Sequence, residues 1–134
     1  MNIYLYNIIF FVLIALLEAL LWHYSVNKIS IVTAKRLHIP LVLIRCAWFA
    51  YLFIITDKDF ASVSSLIMCY PFWHLGCMYQ FRNWLNRKVY KRGFIDVASS
   101  SSTSFVDKIF NFDFITRGMM LIVGTVFYFL WNSM

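Results

Sequence analysis

The sequence predicts an all-α membrane protein: four transmembrane helices, with a short interfacial amphipathic helix after the third. Three observations lead there. The 134 residues are 62% hydrophobic and only 13% charged, whereas a soluble domain is about half apolar and about a quarter charged. Four apolar stretches approach the roughly 20 residues that cross about 30 Å of hydrocarbon. The basic residues gather in the segments that alternate with these stretches. A soluble bundle of buried helices is the competing reading, but too little polar sequence remains to cover it. Residues 1–134 are read as a single transmembrane domain.

The first span, residues 3–22, is IYLYNIIFFVLIALLEALLW and holds one charge, Glu18. No Lys or Arg precedes it and no A-x-A-like site follows, so it is expected to stay as an anchor and not to be cleaved as a signal peptide. The second, residues 40–56, opens at Pro40 and holds Arg45. The third, residues 60–81, lacks Asp, Glu, Lys and Arg but contains Pro71 and His74. The fourth, residues 114–131, carries Arg117 near its start. Residues 23–39 and 82–113 are then the two long loops.

The third span is expected to leave the hydrocarbon near Phe81. Beyond it, Phe81, Trp84, Leu85 and Val89 recur at helical spacing with Arg and Lys between them, which suits a helix lying in the interface and ending at Gly93. Trp84 and Tyr90 would sit at headgroup depth. The stretch DVASSSSTS, residues 96–104, reads as a loop, first of all a plain linker, with a phosphorylation site or a ligand loop as the alternatives. Ser104 and Asp107 suit the start of a further short helix, with Phe105, Ile109 and Phe112 on one face.

Loop charge sets the expected orientation. Lys28, Lys35 and Arg36 follow the first span; Arg82, Arg87, Lys88, Lys91, Arg92 and Lys108 follow the third. The opposite side has only Lys58, between Asp57 and Asp59. Basic loops stay in the cytoplasm, so both termini are expected outside it, in a bacterial cytoplasmic (inner) membrane. The same rule explains the net charge of +6. Nucleic acid is therefore not the expected partner. Anionic lipid headgroups are, with Trp84, Arg87, Lys88, Lys91 and Arg92 as headgroup or partner contacts.

Polar side chains within a span are costly, so each needs a partner or a purpose. Glu18, His23, Arg45, His74, Arg82 and Arg117 all fall in the cytoplasmic half and form a candidate intramembrane cluster. His74, Met78 and Arg82 lie at i, i+4 and i+8, on one helix face. Glu18 and Arg45 share a depth and are expected to pair, directly or through His74. Arg82 and Arg117 are expected to snorkel to headgroups. The alternative use of the cluster is a cytoplasm-facing cavity for an ion, proton or small anion.

Enzyme chemistry has little support. No H-E-x-x-H, G-x-S-x-G or Gly-rich phosphate loop is present. His74 and Cys77, with Cys69 or His23, are a poor metal set without a C-x-x-C. Cys46, Cys69 and Cys77 read as small apolar residues. No catalytic residue, metal or cofactor is expected. Ala61 and Ser65 form a small-xxx-small pair suited to close packing or self-association.

Residues 71–104 carry a resemblance. Trp73-His74, Arg82-Asn83, Lys91 to Gly93, Asp96 and the run Ser99 to Ser104 resemble a stretch of small multi-pass membrane proteins of Bacteroidetes bacteria and their phages. The resemblance covers about a quarter of the chain. It implies a bacterial cytoplasmic membrane and a mobile-element setting. The group has no assigned activity, so the resemblance implies no catalytic residue.

Three functions follow as expectations. The first is a non-catalytic membrane module that assembles with itself or a membrane protein partner. The second is a holin-like or effector pore, which needs a polar stripe along a whole span. The third is a small transporter or membrane enzyme using the Glu18, Arg45 and His74 cluster.

Overall fold

The computed structural model describes residues 3–28, 31–57, 59–86, 93–95 and 113–134, with side chains described outside 25–38. All regular structure among these residues is helical: α1 (Ile3–Lys28), α2 (Ile31–Ile55), α3 (Phe60–Met68), a π-helical turn (Pro71–Leu75), α4 (Gly76–Leu85) and α5 (Phe114–Trp131). Two helices, over Ile3–Tyr24 and Phe114–Trp131, are long and apolar enough to cross a membrane, and Ile39–Ile55 is a shorter apolar helix.

Helix boundaries depart from the apolar runs in an instructive way. α1 continues to Lys28, and α2 starts at Ile31, nine residues before Pro40. Most of the stretch expected to be a loop, 23–39, is therefore helical backbone. Hydropathy marks where a helix is apolar. It does not mark where backbone hydrogen bonding stops.

The third apolar run is split at Pro71. Proline has no N–H and its ring crowds the carbonyl four residues back, here that of Ile67. The chain absorbs this with the π turn Pro71–Leu75, a device that widens one turn of a helix. α4 then runs on through Phe81 and Trp84 to Leu85, where the Asn86 N–H bonds to the Arg82 carbonyl. α4 itself ends at Leu85, and Trp84 belongs to its last turn. The expected elements over 87–92 and 96–112 lie outside the described residues, including Arg87, Lys88, Lys91, Arg92, the Ser99 to Ser104 run and the helix from Ser104.

Contacts fix the topology. α1 and the α3–α4 arm run in the same direction: Asn7 bonds to Leu66, Phe11 meets Tyr70, Glu18 meets His74 and His23 meets Asn86. α2 runs the other way along α1, with Trp48 beside Asn7 and Arg45 beside Glu18. α5 runs opposite to the arm, from Arg117 near Tyr79 to Asn132 near Ser62. The result is an up-down-up-down bundle with α3–α4 between α1 and α5. One core cluster joins Ala15 to Leu75, Met78 and Tyr79; the other joins Leu52 to Val63, Leu66 and Tyr128.

Small residues bring α3 and α5 together. A Cβ on Gly124 would fall 2.6 Å from the Ser65 carbonyl oxygen, so only glycine permits this approach. Ser65 of the small-residue pair thus packs within the chain, and its hydroxyl donates back to the Ala61 carbonyl of its own helix at 2.6 Å.

Acidic caps start two helices. Asp59 accepts the Ala61 and Ser62 N–H groups at 3.0 and 3.3 Å and the Ser62 hydroxyl at 2.5 Å. It also accepts the Trp131 indole N–H at 2.8 Å. Asp113 accepts the Thr116 N–H at 2.7 Å at the start of α5. Hydrogen bonds that favour the charged form hold both carboxyls below their usual range, chiefly from the Ser62 hydroxyl for Asp59 and the Thr116 N–H for Asp113.

Candidate functional site

Among the described residues, Glu18 is the only carboxylate inside a helix. It is 6% exposed, and both its oxygens are engaged. Oε1 meets the Arg45 guanidinium from α2. Oε2 lies 3.0 Å from His74 Nε2 on the π turn. One carboxylate thus ties three elements together. The pairing expected from matched depth is present, with His74 as a second partner and not as a bridge.

Tyr70 completes the group. Its ring stacks on His74 at 4.5 Å and 14°, while the Arg45 guanidinium carbon lies 5.9 Å from the same ring. A cation over an aromatic face gains electrostatically. His74 is 2% exposed and the Arg45 side chain 19%, so the imidazole is the enclosed member and Arg45 the one nearer the surface. His74, Met78 and Arg82 do share one face. Met78 packs in the cluster with Ala15, and the Arg82 guanidinium carbon sits 5.2 Å from the Trp22 ring.

The other described site residues, His23, Arg82, Trp84 and Arg117, fall at the same end of the bundle. His23 Nδ1 lies 2.8 Å from Asn86 Oδ1, joining the ends of α1 and α4. Trp84 is 66% exposed on α4. Arg117 corrects the snorkelling expectation. It is fully buried, and its Nε and Nη2 donate to the Asp113 and Phe94 carbonyls at 3.3 and 3.0 Å. Its guanidinium carbon is 6.0 Å from the Tyr79 ring. Arg82 likewise turns inward, onto Trp22. Carbonyls and aromatic faces of the bundle itself engage these two cations.

The sequence reading missed a second polar group, at the other end. Asn7 is fully buried; its amide donates to the Leu66 carbonyl at 3.1 Å and accepts the Trp48 indole N–H at 3.0 Å. Tyr4 and Thr125 join hydroxyls at 2.5 Å beside Cys69. An amide in the middle of an apolar run was the available signal, since such groups hydrogen-bond across helices. Cys69 turns toward Tyr4 and Thr125 while His74 turns toward Glu18, so these two do not converge. An open apolar groove of about 410 Å³ lies between α1 and α5, lined by Tyr4, Ile8, Trp73, Leu121 and Thr125 among others.

No protein-family model, curated protein or solved structure matches this chain.

Proposed function

We propose that this chain is a four-span integral membrane protein acting as a non-catalytic module that assembles with a partner in the membrane. The observation that carries this reading is the inverted polarity of the bundle. Its most enclosed side chains include Arg117, Asn7, Ser62 and Ser65. Its surface presents Leu5, Ile9, Leu13 and Leu17 along α1, Val42, Leu43 and Ile54 along α2, and Ile122, Val126 and Phe129 along α5. Water-soluble monomers rarely expose continuous apolar surface beyond a few hundred Å². Hydrocarbon accepts such a surface, and polar groups are then satisfied inside the bundle.

The up-down-up-down contacts support four crossings. The α3–α4 arm, 60–85, is long enough despite its π turn, and Ile39–Ile55 meets the lower limit of about 17 residues. The basic loops favour the Glu18 end in the cytoplasm, and the resemblance over 71–104 favours a bacterial cytoplasmic membrane. The closed geometry of the Glu18 group supports a non-catalytic role: each oxygen already has a cationic or imidazole partner and the imidazole is covered by Tyr70.

Different epitope tags on the two termini test the topology. The protein should stay with bacterial membranes through alkaline carbonate washing. Protease added outside spheroplasts should then remove both tags. Release by carbonate, or protection of one tag alone, would overturn the four-span reading.

A further inference from the structure

Glu18 faces a permanent cation with one oxygen and a titratable base with the other. Arg45 meets Oε1, and His74 Nε2 lies 3.0 Å from Oε2. With His74 neutral, the group sums to zero charge: one carboxylate against one guanidinium. Histidine is the side chain whose ordinary charge change falls between about pH 5 and 8. A carboxylate only accepts, so the Nε2 that faces it is assigned the hydrogen in both charge states, and a proton from water enters at Nδ1. Two cations then compete for one carboxylate.

The two cations are unequally placed. His74 is 2% exposed and its ring stacks on Tyr70, whose face favours a cation. Arg45 is the more exposed partner, and its long stem can carry the guanidinium to the surface. An enclosed imidazolium without its counter-charge is the costlier outcome, so Glu18 stays with His74 and Arg45 is the cation released. The other titratable groups on the neighbouring elements are engaged elsewhere. His23 of α1 joins Asn86, and Cys69 turns toward Tyr4 and Thr125. On α4, Arg82 lies on Trp22 and Cys77 packs with the Ala15 cluster. Arg117 of α5 holds the Asp113 and Phe94 carbonyls beside Tyr79.

α2 depends on this tie. Among its described side chains only Leu41 and Leu52 are buried, while Val42, Leu43, Tyr51 and Ile54 face outward. Arg45 makes its only salt bridge among the described residues. We propose that Glu18, Arg45 and His74 form a proton-operated latch: protonation of His74 transfers Glu18 from Arg45 to the imidazolium and loosens α2 from α1 at the Arg45 end. Trp48 with Asn7, and Leu52 in its core cluster, hold the other end of α2. The latch gives the bundle an acid-responsive helix. It rests neither on the number of spans nor on assembly with a partner, because both readouts below come from the isolated full chain in detergent micelles.

The experiment follows charge and distance together. The chain carries isotope-labelled histidine for NMR. Spin labels sit on the exposed Cys46 of α2 and on Leu17→Cys of α1, with Cys69→Ala and Cys77→Ala to keep labelling specific. The His74 resonance, identified by its loss in His74→Gln, should titrate between about pH 5 and 8. A second, longer label distance should grow from minority to majority with the same midpoint as pH falls. In His74→Gln the distance should stay short throughout. A folded protein whose His74 resonance does not move over this range overturns the latch. So does a distance that holds while His74 titrates, or an acid-induced lengthening that survives His74→Gln. Should His74→Gln fail to fold, the resonance is assigned by elimination with His23→Gln and His38→Gln, and the two midpoints decide. Coincident midpoints uphold the latch; separate ones overturn it.

Discussion

The two ends of the bundle solve one problem with different chemistry. At the Glu18 end, one carboxylate holds α1, α2 and the π turn through an ion pair and an imidazole contact. At the Asp59 end, the ties are many and mostly neutral: Asn7 with Trp48 and Leu66, Tyr4 with Thr125, Asn132 with Ser62, and a Gly124 contact that admits no larger residue. A charged hub is strong but fails all at once, because removing one member leaves another buried without its counter-charge. Neutral hydrogen bonds within membranes contribute modestly each and fail by degrees. One end is concentrated and the other distributed.

Mutations at each end can break this comparison. The largest effect is expected from Glu18→Leu, which leaves Arg45 and His74 facing apolar surroundings. It should lower stability by about 3 kcal/mol or more, measured as unfolding in a fixed detergent. Glu18→Leu combined with Arg45→Leu should recover much of that loss. A double variant as unstable as the sum of the singles would show that the pair is not the hub. Gly124→Ala comes next, at about 1–3 kcal/mol, because the atom it meets is a backbone oxygen that cannot swing away. If Gly124→Ala unfolds at the wild-type midpoint, α3 and α5 are not held by close approach.

Asn7→Leu should cost about 1 kcal/mol, and its coupling to Trp48→Phe in a double-mutant cycle should be smaller than that of Glu18 to Arg45. Equal coupling energies would erase the contrast between the two ends. The smallest effect concerns acid. The Asp59 carboxyl is held below its unfolded value, near 3.9, by Ser62 and its neighbours. Its contribution is therefore present above about pH 4 and lost as pH falls through the lower folded value. Asp59→Asn should flatten the acid side of the stability profile slightly, with Asp113 giving a similar dependence at the start of α5. An unchanged acid limb in both variants would remove the caps from the account.

What could be read from the sequence was the chemistry that repeats along a helix or is forced by cost. A chain this apolar, with four long runs, dictates helices, because helices satisfy their own backbone groups. Charges so rare had to find each other, and so Glu18 and Arg45 were legible as a pair. The i, i+4, i+8 ladder of His74, Met78 and Arg82 was legible for the same reason. The tertiary structure alone decided the rest. It continued α1 and α2 past the ends of their apolar runs, and relieved Pro71 with a π turn. It turned Arg117 inward to a carbonyl, spent the Ser65 face on Gly124, and seated Phe94 on Gly76. The last three depend on an atom brought close by a residue far away in the chain, and periodicity and hydropathy carry no information about such a neighbour.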